Sequence, residues 1–170
     1  MKSFLYASPI GNIIVRADEM GLVEVSFYDN ESASGDELFS GKGSGVEPED
    51  VILAEAKEWL DTYFSGKDPG AIPPLHLIGT DFQRKIWEVL CRIPYGETTT
   101  YGTIAREVAS LLGKEKMSAQ AVGGAVGKNP VGIIVPCHRV IGSDGSLVGY
   151  ADGLDNKIAL LEIENKVKQK

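Results

Sequence analysis

The sequence predicts a small α/β unit at the amino terminus followed by a mainly helical unit, and three observations carry that reading. The first 28 residues alternate between apolar runs and turn residues, as short antiparallel strands do. From Thr80 onward the apolar residues recur at helical spacing. Between the two patterns lies a proline-rich connector, Asp68 to Pro74, where the composition shifts. The expected domains are therefore residues 1–76 and 77–170.

Phe4 to Ser8, Asn12 to Ala17 and Leu22 to Tyr28 read as strands, with turns at Ser8-Pro9-Ile10-Gly11 and Glu19-Met20-Gly21. Asn30 to Glu47 is rich in Gly, Ser and acidic residues and has no period, which reads as a loop. Pro48 suits a first helical turn, and Ile52, Ala56, Trp59, Leu60 and Tyr63 share a helical face that ends at Gly66. Thr80 with Gln83 three residues later forms a capping box, and Phe82, Ile86, Val89 and Leu90 follow on one face until Ile93-Pro94. Further helices are expected over Thr100 to Leu112, Ser118 to Lys128 and about Leu154 to Val167. The first two, joined by a short turn containing Gly113, suggest a helix-turn-helix. The apolar run Val131 to Val135 reads as a strand broken by Pro136. Trp59 and Trp87 are expected in the core, His76 as a structural residue, and Cys91 as an ordinary small side chain.

Composition narrows the chemistry. With 43% hydrophobic and 24% charged residues the chain can bury an ordinary core. No apolar run approaches the roughly 18 residues that span a bilayer, and nothing resembles a signal peptide, so the expected location is cytoplasmic. Two cysteines and two histidines cannot build a disulfide framework, and a zinc site would consume all four; neither a metal nor any other cofactor is expected. The net charge of −7 opposes bulk binding to nucleic acid. That charge is unevenly placed. Residues 1–76 hold 5 Lys/Arg against 14 Asp/Glu and the remainder 12 against 10, or −9 and +2, which leaves room for a DNA-binding face on the second unit.

Cys137-His138 is the most reactive pair in the chain, because an imidazole can lower a thiol's pKa and the thiolate is the nucleophile. Consecutive side chains on a strand point to opposite faces, so the pair can cooperate only if the backbone turns there. The bland alternative is a core cysteine beside a histidine bonded to backbone.

The surroundings decide between them. Asn129-Pro130, Ile133-Ile134-Val135-Pro136-Cys137-His138-Arg139-Val140 and Gly149-Tyr150 together resemble the active-site stretch of the O6-alkylguanine-DNA alkyltransferases. Further family-like motifs follow family order: Gly79 to Gln83, Ile93 to Thr98, Thr100-Tyr101-Gly102 and Ala121 to Ala125. Ser8-Pro9-Ile10-Gly11, Gly21-Leu22 and Tyr63 to Lys67 resemble the amino-terminal domain of bacterial and archaeal members. The resemblance covers nearly the whole chain.

It implies a ribonuclease H-like first domain and a winged-helix second domain with the active site. It implies irreversible, once-only transfer of an alkyl group from O6-alkylguanine, and from O4-alkylthymine, in DNA to Cys137. His138 would take the thiol proton through water, Glu164 would orient the histidine, and Asn129 would brace the turn. The damaged nucleotide would be extruded into a pocket. Tyr101 would contact the guanine edge, Val126, Val140 and Tyr150 would line the pocket, and the carbonyls of Cys137 and Val140 would accept from the guanine amino group. The amide of Ala151 would donate to the alkylated oxygen. Ala151-Asp152 departs from the serine or glycine common there. A monomer would bind double-stranded DNA through the minor groove, using Gln120, Ala121, Gly123, Gly124 and Arg139. Gln120 stands where many members have an arginine that enters the base stack. The adjacent glycines need a reason, since each costs about 1 kcal/mol in a helix. They would serve either tight helix packing or close approach to DNA.

Two rival readings remain. A cysteine hydrolase would use the same pair but has no need of a helix-turn-helix, and a binder similar to the alkyltransferase-like proteins would lack the acceptor cysteine.

Overall fold

Alternating apolar residues build the first sheet. The computed structural model describes residues 2–28, 50–147 and 153–168. It divides into two compact units, Met1–Leu77 and Ile78–Lys170. Strands β1 (Lys2–Ser8), β2 (Gly11–Ala17) and β3 (Leu22–Phe27) form an antiparallel sheet in that order. The Pro9-Ile10 loop sets the register Ser8↔Gly11 through Lys2↔Ala17. Central β2 buries Ile13, Ile14 and Val15.

Helix α1 (Val51–Phe64) packs on β1 and β2 with Leu53, Ala56, Trp59, Leu60 and Tyr63. Asp50 caps its start, the carboxylate accepting from the amides of Ile52 and Leu53, and Pro48 lies outside the described residues. It ends in a Schellman motif, with Gly66 N–H on the Tyr63 carbonyl, Lys67 N–H on that of Thr62, and Gly66 at φ +87°. The proline-rich connector is tied to the sheet. Leu22 N–H donates to the Pro74 carbonyl and His76 N–H to that of Leu22, both at 2.8 Å, while the His76 ring meets Asp18 at 2.5 Å. A Cβ on Gly21 would stand 2.7 Å from the backbone there, so only glycine permits the approach.

The second unit is built on α2 (Asp81–Leu90), α3 (Tyr101–Leu111), α4 (Ala119–Val126) and α5 (Leu154–Lys168). The Thr80/Gln83 capping box is formed in full. Thr100 caps α3 and Ser118 caps α4 through their hydroxyls. Helices α2, α3 and α4 pack against one another through Ile86, Trp87, Leu90, Ile104, Val108, Val122 and Val126. The Trp87 indole also donates to the Ala125 carbonyl at 2.9 Å, fixing α4 on α2.

The run from Val131 to Val135 is not a strand. It winds through tight turns, with Ile134 N–H on the Gly132 carbonyl and Val135 N–H on the Val131 carbonyl, and Ile133 held at φ +67°. That conformation is strained for a β-branched residue, by about 1–3 kcal/mol, and complete burial of Val131 through Val135 compensates. The run was apolar because it is buried on all sides, a property that does not distinguish strand from turn.

Candidate active site

Just past these turns the chain makes one turn of 3₁₀ helix, Cys137–Arg139. This is the backbone bend that adjacency of Cys137 and His138 required, and both side chains are buried, at 7% and 0% exposure. Two features hold the bend. Upstream, the Asn129 amide donates to the Val135 carbonyl at 2.8 Å while its oxygen accepts from Val131 N–H at 3.0 Å. Downstream, β5 (Val140–Ile141) pairs in parallel with β4 (Thr99–Thr100), which leads directly into Tyr101 at the start of α3. The pairing therefore ties the position of Tyr101 to the cysteine turn.

Glu164, on α5 and 1% exposed, is the hub behind the turn. One carboxylate oxygen meets His138 Nε2, and the other accepts from Arg139 Nε at 2.7 Å and Gly96 N–H at 2.9 Å. Burial opposes ionisation of Glu164, but the His138 bond, the nearby positive charge and the Gly96 amide outweigh it and bring its pKa down to about 2. A carboxylate can only accept, so His138 donates from Nε2. Burial pushes the His138 pKa below its usual value against the pull of Glu164, which favours the neutral ring. A neutral ring with Nε2–H keeps Nδ1 as its basic nitrogen.

Tyr101 is half-buried; desolvation first, and then the charge of Cys137, raise its pKa. A Cβ on Gly123 would lie 3.8 Å from the Tyr101 ring, an ordinary contact, and one on Gly124 would meet nothing within 4 Å. Neither glycine is demanded by packing inside the chain. Gln120, Ala121 and Gly124 lie together on the exposed face of α4, opposite buried Val122, Ala125 and Val126. Val140 is fully buried beside the turn. Tyr150 and Ala151 lie outside the described residues, as does Asp152. A hollow of about 230 Å³ lined by Val89, Ile93, Thr98, Ile104 and Glu107, among others, contains none of the site residues.

Arg139 is placed in an inward network. It was grouped with the DNA-contacting residues, yet it is 6% exposed, with Nε on Glu164, Nη1 on the Ile93 carbonyl at 2.7 Å and its guanidinium 5.7 Å from the Tyr95 ring centre. Its charge balances a buried carboxylate. Lys157 was missed altogether: it is 0% exposed and donates to the Val140 carbonyl at 2.7 Å, and burial pushes its pKa down against the pull of Cys137. Its place three residues before Leu160 and seven before Glu164 puts it on the inward stripe of α5, a signal the sequence contains. Among the described residues no group of three His, Cys, Asp or Glu side chains could hold a metal ion.

Residues 1–71 match the family model described as 6-O-methylguanine DNA methyltransferase, ribonuclease-like domain, and residues 81–166 match the DNA binding domain of the same description. The chain belongs to the 6-O-methylguanine DNA methyltransferase family. Family relatives include the methylated-DNA–protein-cysteine methyltransferases of Methanosarcina barkeri, 44% identical over 92% of each chain, and of Mycobacterium leprae, 41% identical over 92% of this chain and 88% of that one. The fold is similar to that of Mycobacterium tuberculosis OGT, whose crystal structure is in complex with DNA: TM-score 0.78 at 36% identity, covering 98% of this chain and 94% of that one. The fold class is thus a ribonuclease-like α/β domain followed by a helical domain of the family's DNA-binding type. No helix among the described residues is long and apolar enough to cross a membrane.

Proposed function

We propose that this protein repairs DNA by taking the alkyl group of O6-alkylguanine, and of O4-alkylthymine, onto the sulfur of Cys137. The observation that carries the proposal is the buried Cys137–His138 turn backed by Glu164, in a chain of this family. The thiol proton passes through water to His138 Nδ1, while Glu164 fixes the ring and burial keeps it neutral beforehand. The thiolate attacks the alkyl carbon, the carbon–oxygen bond breaks with its electron pair going to guanine, and guanine leaves as a neutral base after taking up a proton. The product is a thioether. No group in the site is suited to cleave it, so each molecule acts once and needs no cofactor.

Residues 1–76 act as the amino-terminal domain and 77–170 as the domain that carries the acceptor. As a monomer the protein lays the exposed face of α4 into the minor groove, about 6 Å wide. Gly124 and Ala121 allow close approach there, Gly123 leaves room beside Tyr101, and Gln120 fills the gap left by the extruded nucleotide. The open space around Gly124 supports this over the packing alternative. Tyr101, Val126, Val140, Tyr150 and the Ala151 amide form the base pocket, with the carbonyls of Cys137 and Val140 reading the guanine amino group. Arg139 acts as a brace for Glu164. The protein works in the cytoplasm.

The test is intact mass after incubation with duplex DNA containing O6-methylguanine. One added methyl group on Cys137 is expected, with none on Cys137→Ala, which should still bind the lesion duplex. Transfer retained by Cys137→Ala would move the acceptor to Cys91. Multiple turnovers on an acyl substrate would favour a cysteine hydrolase instead.

A further inference from the structure

A fully buried lysine that donates to a backbone carbonyl beside the acceptor turn calls for a role. Lys157 reaches the Val140 carbonyl at 2.7 Å from α5. A buried ammonium must keep its acceptors, because losing one leaves a desolvated charge. Val140 is also held at its amide, where its N–H donates to the Cys137 carbonyl, and it is paired with Thr99. Of these contacts, the one from Lys157 acts on the carbonyl itself.

We infer that Lys157 is a positioning residue that sets base specificity by fixing the Val140 carbonyl for the 2-amino group of guanine. The inference rests on the reading of that carbonyl as a guanine acceptor. A carbonyl oxygen has two lone pairs. Lys157 takes one and thereby fixes the direction of the other, so that the incoming amino group meets an acceptor that need not reorient. Two donors on one oxygen weaken each other slightly, so Lys157 contributes orientation and not basicity. Without the ammonium the carbonyl is free to tilt, and a base with the 2-amino group loses its advantage over one without it.

The experiment compares single-turnover rates on duplexes carrying O6-methylguanine or O6-methylhypoxanthine, which lacks only that amino group. Wild type is expected to prefer the guanine by about tenfold, the worth of one hydrogen bond. Lys157→Met should bring the ratio to within about twofold of unity. A ratio measured within one preparation cancels the folded fraction. Should Lys157→Met not fold, Lys157→Gln carries the test, since its amide is one bond too short for the 2.7 Å contact and should show the same loss. An unchanged ratio in these variants, or an equal fall on both substrates as expected if the ammonium serves only the Cys137 thiolate, overturns the inference. A wild-type ratio near one overturns instead the reading of the Val140 carbonyl on which it rests.

Discussion

Replacing Gly124 by alanine should push stability and DNA binding in opposite directions. Gly124 lies inside α4, and a Cβ there would meet nothing within 4 Å, so the new methyl group clashes with no part of the chain. Alanine restricts the unfolded chain and suits a helix better, which stabilises by about 0.5–1 kcal/mol. In a unit of this size that raises Tm by roughly 2–8 °C. The same methyl group projects from the exposed face proposed to enter the groove. If that face fits closely, an added methyl costs about 1–3 kcal/mol, or roughly 5- to 150-fold in duplex affinity. Thermal melting and titration of a lesion duplex measure the two effects, and the transfer rate on the free O6-alkylated base serves as control and should not change. A higher Tm with unchanged duplex affinity would remove α4 from the groove. A lower Tm would show that the glycine serves packing after all.

Three further outcomes follow from the site. Both His138 and Glu164 have folded pKa values below their unfolded ones, so each contributes stability above its unfolded value that is lost on acidification: His138 below about 6.5, Glu164 from 4.5 down towards 2. Melting temperatures should fall across both ranges, and Glu164→Gln should flatten the lower one; a flat wild-type profile between pH 6.5 and 3 would contradict the assigned protonation states. Asn129→Ala leaves the Val135 carbonyl and Val131 amide without their partner, at about 1–3 kcal/mol each, and should both lower Tm and slow transfer; a loss of Tm alone would mean the turn does not position Cys137. Gln120→Arg, at the exposed start of α4, should speed repair of duplex DNA more than of a single strand or a free base, because only the duplex has a gap to fill; equal gains on all three would indicate a general effect of charge.

The elements that the sequence made legible are those whose signal is local. The Thr80/Gln83 box and the helical periods of α1 and α2 depend on residues within a turn or two of each other, and the β1–β2–β3 meander on alternation and short turns. What was not legible depends on partners far away in the chain. Strands β4 and β5 are two residues each, too short for any period, and exist only because they pair with each other. Val131 to Val135 carries the composition of a strand, yet its turns are imposed by Asn129 and by burial on every side. In the site, Cys137, His138 and Glu164 come together through a bend that adjacency could suggest but not establish.

Arg139 shows most clearly why charge in a sequence is a poor guide to charge in a site. An arginine next to a reactive cysteine, in a protein expected to hold DNA, invites a phosphate contact. The physical demand is closer at hand. Ionised Glu164 is buried, and a buried carboxylate is costly unless cations and amides surround it. Arg139 supplies that cation and Gly96 the amide, which lets Glu164 stay ionised and accept from His138, while burial keeps the imidazole neutral. Removing the guanidinium should therefore disturb Glu164 and, through it, His138. The same reasoning assigns Lys157, the second buried cation, to the backbone of the acceptor turn. These two buried cations are thus held by the backbone and carboxylate around the acceptor turn, Arg139 on Glu164 and Lys157 on the Val140 carbonyl.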